Sequence, residues 1–459
     1  MSEPTTFLDG RVTLHCGDCR DVLASLPDAS VDSIVCDPPY GLGFMGKKWD
    51  TPGALVERRA ATENKWDHVG GNHNPSNSAD AARTARVEGQ KFGEWCGTWV
   101  SECLRVLKPG GHIVAFSGTR TYHRMVCAIE DAGFEVRDQL AWVYGSGMPK
   151  GLNVGKVLEA RIEALKADLV GFSDPSGCEY DELSDRLDEM TAELGRIQGW
   201  NTSLKPSWEP ICLARKPMIG TVLDNMLMHG VGGINGDGCR VDASARPLLE
   251  LDAKPTESNV YVGRTGQGGL GKGLDGGSKA VGTTDVGRWP ANLVHDGSDE
   301  VVACFPDSAG QLRPDGPEFA PKTGTAVYGD YGPRPHVDPR SDSGSAARFF
   351  YTSKADADDR LGSKHPTVKP VDLMQWLVRL VTPKGGTTLD PFAGTGTTGE
   401  AAWREGMKAI LIEREPEYQA DIARRMDLAT KPTKRAAVAK TKNRLDDPNG
   451  LPLFAEPLP

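Results

Sequence analysis

The chain has 459 residues, room for two or three domains and a sizeable core. Hydrophobic residues make up 38% and charged residues 25%, and no apolar run approaches the ~18 residues of a membrane helix. The net charge of −10 excludes a protein coated in basic groups but leaves room for a local basic cleft. The first residues, Met1-Ser2-Glu3-Pro4-Thr5-Thr6, lack a charged segment followed by an apolar stretch, so no secretion signal is expected and the compartment reads as cytoplasmic. Of ten cysteines only Cys16 and Cys19 form a C-x-x-C pair, without a second pair at ligand spacing, so no metal is expected and the thiols read as reduced.

In chain order, residues 11–40 read as strand, helix, strand: Val12-Thr13-Leu14, a helical turn over 21–26, and a buried strand over 31–36 ending at Asp37. Residues 53–92 are poor in aliphatics and predict a loop, which with Arg58, Arg59 and Lys65 is expected to close over an anionic partner. A helix over 95–107 stops at Lys108-Pro109-Gly110-Gly111. A buried strand over 112–116, a helix over 122–132 and a strand over 139–144 follow. Such alternation predicts a doubly wound α/β sheet. Over 156–198 the spacing changes. Leu158, Ile162, Leu165 and Leu169 repeat at helical intervals, as do Leu183, Leu187, Met190, Leu194 and Ile197, which predicts an antiparallel helical hairpin. Residues 208–216 return to strand, and 218–345 show weak periodicity, with ten glycines in 263–287. After Pro370 a helix (371–381), strand (387–392), helix (398–405), strand (408–412) and helix (416–426) complete a βαβα unit. The stretch 431–444 has six basic residues and no acid, and is expected to be a solvated tail.

Two motifs carry chemistry. Asp37-Pro38-Pro39-Tyr40 follows an apolar strand. Its prolines fix φ and remove backbone donors, leaving the Pro38 carbonyl and the Asp37 carboxylate as acceptors beside an aromatic face. An aromatic amine is a poor nucleophile because its lone pair is delocalised. Two acceptors gripping its hydrogens favour a tetrahedral nitrogen able to attack a methyl sulfonium. The second motif, Leu389-Asp390-Pro391-Phe392-Ala393-Gly394-Thr395-Gly396-Thr397, is a strand running into a glycine loop that opens a helix. The next strand ends in an acid, Glu413, about 20 residues on, where a ribose hydroxyl acceptor belongs.

Those motifs, in that order, resemble the amino-group DNA methyltransferases of the adenine-N6/cytosine-N4 family in the permuted β arrangement. There the catalytic half comes first, then target recognition, then the cofactor half. Three further segments carry the resemblance: Gly17-Asp18, Arg105-Val106-Leu107-Lys108-Pro109-Gly110-Gly111, and His365-Pro366-Thr367-Val368-Lys369-Pro370. It spans roughly 11–150, 205–217 and 346–427, and the run Tyr144-Gly145-Ser146-Gly147-Met148-Pro149-Lys150 is similar to the phage and prophage branch.

The resemblance implies a Rossmann-like, circularly permuted S-adenosylmethionine-dependent methyltransferase sheet. Its parts would be a catalytic half (1–155), a helical-hairpin insertion (156–200), a returning core strand (201–217), a target-recognition module (218–345), a cofactor half (346–430) and a basic tail (431–459). It implies S-adenosylmethionine as cofactor and duplex DNA as substrate, with the target base flipped out. Catalysis would fall to Asp37, Pro38, Pro39 and Tyr40. Cofactor binding would fall to Asp18 (on the adenine), Asp37, His365, Pro366, Thr367, Lys369, Asp390, Pro391, Phe392, Gly394, Gly396, Thr397 and Glu413 (on the ribose). An Asp leading the P-P-Y favours adenine; a leading Ser is commoner in cytosine-N4 enzymes. A homodimer and a cognate restriction enzyme are the protein partners to be tested, in a bacterial or phage-infected cell. The competing readings are cytosine-N4 methylation, a protein or RNA N-methyltransferase, whose motifs come in the opposite order, and a DNA-binding module without catalysis.

Overall fold

The computed structural model describes residues 3–42, 50, 78–147, 151–171, 178–242, 246–251, 278–284, 286–307, 344–354 and 356–443. The larger of its two units comprises residues 1–143 and 209–459. Its strands are β1 (Thr5–Phe7), β2 (Val12–Cys16), β3 (Val31–Cys36), β4 (Leu107–Phe116), β5 (Glu135–Val143), β6 (Trp208–Arg215), β7 (Arg246–Leu251), β8 (Ser278–Thr284), β9 (Leu293–His295), β10 (Tyr351–Thr352), β11 (Thr387–Asp390) and β12 (Lys408–Glu413). Ten of them form one sheet in the order β1-β2-β12-β11-β3-β4-β6-β5-β9-β10, while β7 and β8 pair antiparallel as a separate ribbon.

The strands β2, β12, β11, β3 and β4 run parallel, in registers such as Leu411 beside Leu14, Leu389 beside Ile34 and Ile34 beside Ile113. All six residues of β3 are buried, as a parallel strand covered on both faces requires. β6 enters antiparallel to β4. The two last strands of the chain, β11 and β12, thus sit in the middle of the sheet between β2 and β3. This is the doubly wound methyltransferase-type sheet in permuted order.

Helices α1 (Cys19–Ser25), α2 (Ser78–Val106) and α3 (Tyr122–Asp131) share one core with alternate residues of the sheet. Leu23, Trp99, Cys103 and Ile129 join Ile34, Cys36, Ile113, Ala115, Leu389 and Ile412 there. Ser33, which points the other way from Ile34, bonds the Thr382 hydroxyl at 2.7 Å, just past the helix Val371–Val381.

The second unit, Tyr144–Trp208, holds α4 (Val154–Val170) and α5 (Cys178–Ile197). Asn153 caps α4 by accepting from the Lys156 amide at 3.0 Å. Leu158, Leu165 and Leu169, and on α5 Leu183, Leu187, Met190, Leu194 and Ile197, are half-buried, and Ile162 is fully buried: the seams the spacing marked out. The two helices pack against each other as the expected hairpin.

The larger unit also holds α6 (Val222–His229), α7 (Val371–Val381), α8 (Thr397–Arg404) and α9 (Pro416–Ala429), besides short helical turns. A further helix, α10 (Pro432–Asn443), falls where a solvated tail was expected. Its Arg435 is 7% exposed and reaches Glu400 at 2.5 Å and Asp358 at 2.6 Å, so the ordered fold extends past residue 430. The residues after 443 lie outside the described set.

The expected loop 53–92 is helical from Ser78, because Phe92, Trp95, Trp99 and Val106 supply a buried face to α2; residues 53–77 lie outside the described residues. The stretch 218–345 is less irregular than its composition suggested. β9 pairs with β5, α6 is closed by a Thr221 capping box, and the Asn225 side chain bonds the Pro109 and Val231 carbonyls at 2.9 and 2.7 Å. Of the glycine-rich run 263–287, residues 278–284 form β8, and 263–277 lie outside the described residues.

Candidate active site

In an open parallel sheet a ligand crevice forms at the carboxyl ends of strands where successive connections leave in opposite directions. That point lies between β11, whose chain continues to β12 on one side, and β3, whose chain continues to β4 on the other. The sequence motifs converge on this edge. Asp18 follows β2, Glu413 ends β12, the glycine loop follows β11, and Asp37-Pro38-Pro39-Tyr40 follows β3.

The glycine loop is shaped by backbone conformation. Gly394 and Gly396 have φ of 51° and 79°, a region that side chains with a Cβ avoid, and Gly396 is the residue preceding α8. Any Cβ on Gly396 would lie 3.1 Å from Ile422, and one on Gly394 would lie 3.4 Å from the His365 ring. Asp390 is buried beneath the loop, accepting from the Phe392 amide at 3.0 Å and the Thr398 hydroxyl at 2.5 Å. Burial outweighs those bonds and raises its carboxyl to about 7. Glu413 clamps the loop: Oε2 accepts from the Gly394 amide and Oε1 from the Glu415 amide, both at 2.8 Å. Burial pushes this carboxyl up to about 7 as well. The Arg414 amide bonds the same carboxylate.

Asp18 serves first as the cap of α1. It accepts from the Arg20 amide at 3.0 Å and holds the Arg20 guanidinium at 2.9 and 2.7 Å. Burial alone would raise its carboxyl; the bonds and charge of Arg20 win and lower it. His365 packs edge-on against Tyr418 with ring centres 4.5 Å apart, and its Nδ1 lies 2.9 Å from the Thr367 carbonyl. Burial lowers its imidazole to about 4. Pro366 is half-buried and Thr367 exposed, whereas Pro391 and Thr397 are buried in the loop itself. Phe392 faces inward and meets Trp99 edge-on at 5.0 Å and Trp95 at 5.7 Å, so it anchors the loop to α2.

The turn after β3 is fixed by charge. The Lys369 ammonium, 5% exposed, lies 2.6 Å from Asp37 Oδ2, 3.1 Å from Glu209 Oε2 and 3.3 Å from the Tyr40 hydroxyl. Burial would lower the Lys369 pKa, but the two carboxylates outweigh it and raise it. The Tyr40 hydroxyl sits 2.9 Å from Asp37 Oδ1 and 3.0 Å from Glu209 Oε2, and burial, then those carboxylates, raises the phenol well above its usual range. Beyond Tyr40, the buried Asp50 accepts from the Gly41 and Leu42 amides at 2.8 and 3.3 Å and holds the chain as it leaves the turn.

Lys369, expected to contact the cofactor, bonds Asp37 and Tyr40 of the turn after β3. Glu209, Asp50, Trp95 and Trp99 are not among the site residues that the motifs mark, although a charged residue at the mouth of the apolar strand 208–216 is a usable signal. Also absent was the buried network under the glycine loop. Arg425 donates to the Thr395 carbonyl at 2.7 Å and to Glu400 at 2.8 Å, and Glu400, fully buried, also takes Arg404 at 2.7 Å and Arg435 at 2.5 Å. Cys16 is half-buried and Cys19 buried, with the Cys19 thiol pushed well up by burial, so the C-x-x-C pair offers no ready thiolate.

The sheet order and the convergence of these loops define a methyltransferase-type site. The profile of the DNA methylase family matches residues 31–217 and 322–424, more than half of the chain, and the protein belongs to that family. The Type II methyltransferase M.HindIII of Haemophilus influenzae (strain ATCC 51907 / DSM 11121 / KW20 / Rd) is 26% identical over 220 residues, 46% of this chain. The match spans 61% of that relative's own length. Among solved structures, the PvuII DNA methyltransferase (cytosine-N4-specific) overlays with a TM-score of 0.42 at 14% identity, covering 97% of this chain and 95% of that one. The M1.HpyAVI–SAM complex overlays with a TM-score of 0.35 at 14% identity, covering 91% of this chain and all of that one. At such scores the fold assignment rests on the strand order and the family match. Among the described residues no helix is long and apolar enough to cross a membrane.

Proposed function

We propose that the protein transfers a methyl group from S-adenosylmethionine to an exocyclic amine of a DNA base, adenine N6, in duplex DNA. The observation that carries this reading is the juxtaposition of an acceptor-rich, tyrosine-bearing turn with a glycine loop at the switch point of the sheet. The donor set fits the cofactor. The two positive-φ glycines let the loop turn tightly where a Cβ would crowd Ile422 and the His365 ring, and the carboxylates Asp18 and Glu413 stand at the ends of adjacent strands to take an adenine amine and ribose hydroxyls. The His365 ring lies against Gly394 of the loop, and Asp390 with Thr398 holds its base. When bound, the cofactor supplies an electrophilic methyl on a sulfonium.

The chain's own residues prepare the nucleophile. The base is extruded from the duplex, at a cost of a few kcal/mol, and its ring rests on Tyr40. The Asp37 carboxylate and the Pro38 carbonyl accept its N–H groups and draw the nitrogen toward a tetrahedral geometry. The methyl would pass from the sulfonium to the amine nitrogen, the electron pair of the broken bond staying with the leaving thioether, while Asp37 and the Pro38 carbonyl would hold the amine's N–H groups until its excess proton leaves to water. Among the described residues, the Tyr40 hydroxyl and the Lys369 ammonium both donate to Asp37, one to each carboxylate oxygen.

Mass spectrometry of nucleosides from unmethylated DNA incubated with the protein and methyl-labelled S-adenosylmethionine tests this. Labelled N6-methyladenine is expected. Labelled N4-methylcytosine would keep the enzyme class and refute the base choice, which rests on the Asp that leads the turn. Absence of label on any base would refute the activity.

A further inference from the structure

A role for Glu209 at the Asp37 turn rests on methyl transfer being the reaction of this site. Glu209 is the second residue of β6, the strand that runs antiparallel to β4, and no motif marks it. Its side chain is 18% exposed, yet Oε2 lies 3.0 Å from the Tyr40 hydroxyl and 3.1 Å from the Lys369 ammonium. Both partners also bond Asp37, at 2.9 and 2.6 Å. Two carboxylates thus compete for one phenol proton and share one ammonium, and the four groups carry one net negative charge.

This sharing matters for Asp37. With Glu209 removed, Lys369 would neutralise Asp37 alone and the phenol would donate to Asp37 alone. Both Asp37 oxygens would then be fully committed to strong donors, and the carboxylate would be a poorer acceptor for a base amine. The Tyr40 ring would also be tethered at its hydroxyl by one partner instead of two. We propose that Glu209 is a positioning residue of the methyl-transfer centre: it draws the Lys369 charge and the Tyr40 proton partly away from Asp37 and fixes the plane of the Tyr40 ring. Phe116 and Tyr40, whose ring centres lie 4.9 and 5.6 Å from the ammonium, hold Lys369 in that shared position.

Steady-state methylation of duplex DNA by the full chain, with KM measured separately for DNA and S-adenosylmethionine, tests the role. Glu209→Gln keeps an acceptor for Tyr40 and removes the charge; kcat is expected to fall about tenfold, the size of one charge-assisted hydrogen bond, with both KM values within about twofold. Glu209→Ala is expected to lower kcat about a hundredfold. In a Tyr40→Phe background, which folds around the same ring, the Glu209→Gln effect is expected to shrink because one of the two shared contacts is gone. An unchanged kcat in Glu209→Gln would overturn the role, as would a raised KM for DNA at unchanged kcat, which marks a DNA contact. A wild-type chain that methylates no DNA would instead defeat the functional reading, and this role with it.

Discussion

Along the carboxyl edge of the sheet, the loops after β11 and β12 are held by backbone groups. Glycines at positive φ shape the turn, amides of Gly394 and Glu415 bond Glu413, and the Thr395 carbonyl bonds Arg425 from below. The turn after β3 is held by side-chain charge drawn from distant parts of the chain, Lys369 and Glu209 meeting Asp37 and Tyr40. A rigid backbone cradle suits a ligand whose shape is constant. A charge cluster suits a group whose hydrogen bonds must strengthen as the nitrogen turns tetrahedral. The two regions accordingly break in different ways.

The backbone region depends most on what lies under it. Glu400 is fully buried among three arginines, and Glu400→Ala would strand those charges; a loss of about 3–5 kcal/mol is expected in chemical denaturation. The same variant is expected to weaken S-adenosylmethionine binding through the Arg425–Thr395 link, while leaving the charge cluster at Asp37 intact. A loss below about 1 kcal/mol would mean that the network contributes little.

The next effect is a pH dependence. Glu413 is raised from 4.5 to about 7 in the folded chain, chiefly by burial. The folded state therefore holds a proton that the unfolded state releases. This contribution is fully present below pH 4.5 and is lost as pH rises through about 7. The loss is at most about 3–4 kcal/mol, and Asp390, raised to about 7, adds in the same direction. Melting curves between pH 4 and 8 should show stability falling less with rising pH in Glu413→Gln than in the wild type. Parallel curves would contradict the burial of that carboxyl as an acid.

Gly396→Ala comes last in size. At φ 79°, with a new methyl 3.1 Å from Ile422, it is expected to cost about 1–2 kcal/mol and to weaken the cofactor more than the DNA. If both ligands weaken equally, the loop is not a dedicated cofactor cradle.

The same contrast explains what the sequence disclosed. The helix Val371–Val381 and the strand Val31–Cys36 emerge with the bounds their apolar patterns indicated, because local periodicity decides them. The glycine loop and the Asp37 turn are contiguous segments with local backbone requirements, so they too were legible. Glu209 and Arg425 were not, since each acts through contacts with residues remote in the chain, and only the folded sheet brings β6 and the Lys369 segment to the Asp37 turn. α10 was misread as a solvated tail because its basic composition hides the inward Arg435. The long α2 was cut short for a related reason: its first turns lack the aromatic residues that mark its later, buried face.

The most direct measurement compares wild type with Asp37→Ala in a single experiment, recording transfer of a labelled methyl group to duplex DNA together with the affinity for that DNA. Transfer is expected to fall by about 10²–10³-fold while DNA affinity and S-adenosylmethionine binding stay within a few-fold, since Asp37 acts on the amine in the transition state. Turnover that survives the substitution would contradict the assignment of the turn after β3 as the catalytic centre.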